Sequence, residues 1–130
     1  MTAPGAFHWN ELQSRNVKKA KDFYAKTLGW TYEDMPMGDD MYGTYTMITS
    51  GGEQVGGMFE MKGPMFDGMP ESWFTYVAVK DVDAAIKKAK AAGSKVLREP
   101  WDVKGIGRIA IVQDANGAVQ GWMVPAPGGM

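Results

Sequence analysis

The stretch NVKKAKDFYAKTLGW, residues 16–30, is where the reading of the fold begins. Val17, Ala20, Phe23, Tyr24 and Leu28 recur at helical spacing behind Asn16, a good N-cap, and Gly29 sits where a left-handed C-cap belongs. A second stretch, DVDAAIKKAKAAG at residues 81–93, has the same design. Asp81 caps it, Val82, Ala85, Ile86 and Ala89 form its apolar stripe, lysines 87, 88 and 90 face water, and Gly93 stops it.

The two helices belong to a longer repeat. Gly29, Pro36, Val55 and Gly57 recur 64 residues later as Gly93, Pro100, Val119 and Gly121. Ahead of the glycines the offset becomes 65, pairing Trp9 with Phe74, Val17 with Val82 and Ala20 with Ala85. One deletion near the helix end explains the change. A strand-like segment precedes each helix, Phe7 to Gln13 and Trp73 to Val79. Three follow each: Trp30 to Met35, Met41 to Thr49 and Gln54 to Met61 in the first copy, then Lys95 to Glu99, Gly107 to Gln113 and Ala118 to Val124 in the second. Residues 50–53 (SGGE) and 114–117 (DANG) read as hairpin turns. The pattern predicts an α+β fold of two βαβββ modules, spanning about 5–61 and 72–125, joined by a Gly-, Pro- and Met-rich connector at 62–71, all in a single domain over 1–130.

Composition narrows the function classes. Fourteen basic and fifteen acidic residues give a net charge of −1, and the lysines are scattered, which argues against a nucleic-acid partner. No apolar run reaches the roughly 20 residues of a membrane span, and the first five residues lack the regions of a signal peptide, so a soluble cytoplasmic protein is expected. Cysteine is absent, which excludes disulfides, thiolate metal sites and cysteine nucleophiles. His8 is the sole imidazole, and a lone histidine reads first as structural. Seventeen glycines and eleven methionines suit a β-rich domain with tight turns and an adaptable core.

The ordered set of motifs resembles the vicinal oxygen chelate superfamily of glyoxalases, bleomycin-resistance proteins and dioxygenases. It comprises Pro4-Gly5, Trp9-x-Glu11-Leu12, Phe23-Tyr24, Leu28-Gly29-Trp30, Val55-Gly56-Gly57-Met58, Trp73-x-x-Tyr76, Asp81-Val82-Asp83-Ala84, Gly107-Arg108 and Asp114-x-x-Gly117. The resemblance implies a curled mixed sheet around a cup, and a homodimer. It also implies metal ligands on the first and last strand of each module, and those positions fall on Trp9, Phe74, Gly57 and Gly121. None of these side chains ligates a metal, so no metal and no cofactor is expected. His8 and Glu60 would reach such a site only through a slipped register, and Glu60 near a strand end reads as solvated.

A cup without a metal offers aromatic walls and space above the two glycines. Trp9, Tyr45, Gly57, Phe59, Phe74, Trp101, Arg108 and Gly121 are the expected ligand-binding residues, with Trp101 and Met65 in or beside loops at the mouth. Glu11 and Tyr76 are the candidate catalytic pair, Glu11 as a base if burial raises its pKa. Structural roles stand beside these: Glu11 accepting hydrogen bonds or pairing with Arg108, the tyrosines as core residues, and Arg108 as a strand-start contact. The expected function is the binding of a small, partly aromatic molecule. A metal-independent isomerase or lyase and a divalent-metal lyase or dioxygenase are the alternatives.

Overall fold

The computed structural model describes residues 3–36, 43–103 and 106–126. They form an α+β fold with eight strands and two α-helices in the order of two βαβββ repeats. The first repeat comprises β1 (Phe7–Ser14), α1 (Val17–Leu28), β2 (Thr31–Pro36), β3 (Thr44–Ser50) and β4 (Glu53–Glu60). The second comprises β5 (Ser72–Ala78), α2 (Val82–Ala91), β6 (Val96–Val103), β7 (Gly107–Gln113) and β8 (Val119–Pro125). The expected start of the third strand at Met41 lies outside the described residues.

Contacts divide the chain into two compact units, Asn10–Trp73 and a second formed by Met1–Trp9 with Phe74–Met130. In the first unit the strand order is β2-β3-β4-β1, antiparallel except for the parallel pair β1 and β4. In the second the order is β5-β8-β7-β6, with β5 and β8 parallel. Each parallel pair joins the first and last strand of a repeat, and β2 and β6 are the open ends of the two strand orders.

The helices form where the caps allow. The Asn16 side chain accepts a hydrogen bond from the Lys19 amide at 3.0 Å, and Asp81 accepts one from the Ala84 amide at 3.1 Å. At the end of α2 the Gly93 amide donates to Lys90 and the Ser94 amide to Ala89, the paired closure that needs Gly93 at φ +86°.

Each helix covers one face of its own four strands. In the first unit Leu12, Val17, Ile48 and Met58 form the core, with Ala20, Tyr24, Trp30 and Tyr32 packed around it. Phe23 and Leu28, expected in the apolar stripe of α1, are instead exposed. The stripe that packs is Val17, Ala20 and Tyr24, which fall one above another on the helix. In the second unit Val82, Ile86, Ala110 and Val112 are buried with Val79, Val96, Trp122 and Val124 against them.

The connector contains a single 3-10 turn, Pro64–Phe66, and is tied down rather than loose. Glu71 accepts hydrogen bonds from the Ser14 hydroxyl at 2.6 Å and the Arg15 amide at 3.1 Å, while Arg15 donates to the Phe66 carbonyl at 2.7 Å. The Met65 side chain lies outside the described residues. Glu60, expected in solvent, is half-buried and accepts from the Val17 amide at 3.3 Å, so it serves the first turn of α1.

Candidate functional site

Strand alternation assigns the residues on each sheet's helix-free face. In the first unit Leu12, Ile48 and Met58 point to α1, so Glu11, Gln13, Tyr45, Met47, Gly57 and Phe59 point the other way. The register places Glu11 beside Gly57 on one side, with Met47 beside Gly57 on the other. Glu11 is 7% exposed, a carboxylate held between strands, and the Gln13 side-chain amide donates to it at 3.2 Å. Phe59 lies 5.8 Å, centroid to centroid, from Phe66 of the connector.

The two glycines do not leave the expected vacancy. A Cβ at residue 57 would overlap the Tyr45 ring and its hydroxyl, so that ring lies across the glycine. Gly56 is needed for a different reason, because a Cβ there would come within 2.8 Å of the Asn10 carbonyl oxygen. The second unit repeats the device. Tyr76 is directly beside Gly121, and its ring fills the space a side chain at 121 would occupy, with a Phe74 ring carbon 3.0 Å from that position. Phe74 and Tyr76 meet edge to face at 5.1 Å. Sequence reasoning identified the glycines and the aromatics but set them apart, since spacing alone does not show a ring folding back over a neighbouring strand.

The repeat therefore places two different groups at equivalent positions: Glu11 beside Gly57, and Tyr76 beside Gly121. Trp9 is buried on β1 and half-buried His8 precedes it. The side chains at 9, 57, 74 and 121 present no lone pair to a cation, and among the described residues no three or more His, Cys, Asp or Glu side chains gather as a metal site. The residues present at the positions the resemblance implies do not fit a metal ion.

Arg108 takes the strand-start role weighed for it, while Trp101 differs from expectation. Arg108 pairs across the sheet with Asp102 and turns toward α2, donating to both carboxylate oxygens of Asp83 at 2.8 and 3.1 Å and to Asp102 at 3.1 Å. These contacts hold the Asp83 carboxyl below the usual range and raise Arg108 further above its own. The cluster lines an open groove of about 480 Å³ with Lys80 and Val124, but its guanidinium is already shared by two carboxylates. The strand-start role is the one observed. Trp101 is not in a loop: β6 runs on through Pro100 to Val103, and Trp101 pairs with Ile109 on the helix-free face.

The fold has close counterparts. The chain belongs to the Glyoxalase/Bleomycin resistance protein/Dioxygenase superfamily, whose family model matches residues 6–119. It is 37% identical over 123 residues to "Putative glyoxylase CFP32" of Mycobacterium tuberculosis, a match covering 95% of this chain and 45% of that protein. It is also 37% identical over 127 residues to the anthracycline biosynthesis protein DnrV of Streptomyces peucetius, covering 89% of this chain and 46% of the relative. The chain thus spans less than half the length of the curated relatives it matches. Among solved structures, methylmalonyl-CoA epimerase from Mycobacterium tuberculosis superimposes with a TM-score of 0.70 at 15% identity, over 98% of this chain and 93% of that one. A methylmalonyl-CoA epimerase in complex with methylmalonyl-CoA gives 0.71 at 17% identity, over 98% and 99%. At that identity the likeness is one of fold. Among the described residues no helix is long and apolar enough to cross a membrane.

Proposed function

We propose that this chain binds a small, partly aromatic organic molecule on a helix-free sheet face, at a position where the resemblance implies metal ligands. The observation that carries the reading is the Glu11–Gly57 pair: a buried carboxylate beside a glycine, set among Tyr45, Met47 and Phe59. Apolar and aromatic surroundings with few fixed polar groups are what small-molecule sites require. The relatives named for anthracycline biosynthesis lend support, since anthracyclines contain fused planar rings. Tyr45 and Tyr76, which now cover the glycines, are the rings a ligand would stack on or displace.

The direct test is titration with anthraquinone-2-carboxylate, followed by quenching of tryptophan fluorescence. Saturable binding that weakens in Phe59→Ala is expected. Linear, unsaturated quenching in the wild type contradicts the reading. A homodimer, which the family resemblance implies, forms part of this proposal; native mass spectrometry reads it directly.

A second reading, turnover without metal, draws on the burial of Glu11. Here Glu11 would take a proton from carbon as base in an isomerase or lyase, with Tyr76 as the candidate acid. Solvent deuterium incorporated into a co-purifying ligand, and lost in Glu11→Gln, is the expected sign; no incorporation in the wild type removes it.

A further inference from the structure

The hairpin turn between β7 and β8 holds a dipeptide that can react with itself. Of the three asparagines in the chain, Asn10, Asn16 and Asn116, the last alone precedes a glycine. Asn10 lies within β1 and is followed by Glu11, while the Asn16 side chain is engaged as the cap of α1 and is followed by β-branched Val17. Asn116 is exposed, and its side-chain amide makes no hydrogen bond among the described residues.

Turn geometry dictates the glycine. The Asp114 amide donates to the Ala118 carbonyl at 2.9 Å and the Gly117 amide donates to the Asp114 carbonyl at 3.0 Å, with residue 117 at φ +94°. Glycine adopts that backbone without strain, so the residue after Asn116 has no Cβ to shield its nitrogen. The matching turn of the first repeat, Ser50 to Glu53, uses Gly51 and Gly52 and contains no side-chain amide. A hairpin at this place in the repeat does without an asparagine.

Asp114 restrains the nitrogen of Gly117. Its Oδ1 accepts from the Asn116 amide at 2.9 Å and the Ala118 amide at 3.0 Å, on either side of Gly117. These bonds, that of Ala118 first, hold the Asp114 carboxyl below its ordinary range and keep it ionised. To act as a nucleophile the Gly117 nitrogen must lose its proton, which a neighbouring negative charge disfavours, and must leave the Asp114 carbonyl.

We propose that Asn116 is a site of spontaneous modification, restrained in the folded chain by Asp114. The Gly117 nitrogen, after giving its proton to water, attacks Cγ of Asn116. The new C–N bond closes a succinimide ring while the bond from Cγ to the side-chain nitrogen breaks, and that nitrogen takes up a proton and leaves as ammonia. Water then opens the ring at either carbonyl, giving aspartate or isoaspartate, with no oxidant or reductant needed. Isoaspartate runs the backbone through the former side chain, one methylene longer, just ahead of the strand that sets Gly121 beside Tyr76.

The experiment incubates the wild type, Asp114→Ala and Asp114→Ser in mildly alkaline buffer, with the wild type in urea as the unrestrained reference, and follows both products by peptide mass spectrometry. Conversion is expected at Asn116 ahead of Asn10 and Asn16. It is expected to run about tenfold faster in Asp114→Ala than in the wild type, as loss of a charge-assisted hydrogen bond implies. Asp114→Ser, which keeps a neutral acceptor, falls between, and urea gives the highest rate. Conversion led by Asn10 or Asn16, or no product at Asn116 in urea, overturns the site. Equal rates in the wild type and a folded Asp114→Ala, or in the folded and urea-treated wild type, overturn the restraint.

Discussion

The Tyr45 ring lies where a side chain at residue 57 would have to be. The two positions belong to adjacent antiparallel strands, two residues out of direct register and on the same face, so the ring crosses diagonally onto the glycine. Any ligating residue at 57 would have to displace it.

Gly57→Ala is therefore expected to cost about 1 to 3 kcal/mol, as overpacking does in a close-packed interior. The same substitution in a Tyr45→Ala background is expected to cost clearly less, because the clashing ring is gone. Urea unfolding of the four proteins in this double-mutant cycle measures the coupling. Additive effects would show that the ring moves aside freely.

Glu71 ties the connector to Ser14 and Arg15. Glu71→Ala is predicted to accelerate proteolytic cleavage between residues 62 and 71 while leaving far-UV circular dichroism unchanged. An unchanged cleavage rate would show that the connector is held by Phe66 against Phe59 instead.

Acid sensitivity has a definite sign. Lys21 holds the Asp34 carboxyl below its ordinary range, the Ser14 hydroxyl does so for Glu71, Arg108 for Asp83, and the Ala118 amide for Asp114. The folded state then binds fewer protons than the unfolded chain near the ordinary carboxylate range. The stabilisation is full above roughly pH 4 to 5 and is lost as pH falls through the lowered folded values. The urea midpoint at pH 3 is expected to lie below that at pH 7, and a flat profile contradicts the assignment.

Gly93→Ala places a Cβ at φ +86° in the C-terminal closure of α2 and is expected to cost about 1 to 2 kcal/mol. Thermal unfolding monitored at 222 nm reads it; an unchanged midpoint would mean that the closure relaxes without loss.

Much of the fold was legible because local chemistry and the repeat pointed the same way. Asn16 and Asp81 cap the helices they were expected to cap, and the 64-residue offset brings Gly57 and Gly121 to equivalent places beside β1 and β5. The misreadings are tertiary. The strand was expected to end at Glu99 with Trp101 in or beside a loop, yet an edge strand with a bulge accepts Pro100 and carries Trp101 onward. Arg108, by contrast, keeps the strand-start role weighed for it: one step from Ile109, it turns to α2 and meets Asp83. Glycine space looked empty because a sequence does not show which neighbour's ring folds over it.

The most direct measurement is native mass spectrometry with elemental analysis on freshly purified protein, repeated after addition of anthraquinone-2-carboxylate. The account predicts a substoichiometric metal content and an organic adduct on the folded chain. A transition metal held one to one by the wild type, and lost when Glu11 is replaced, would contradict it.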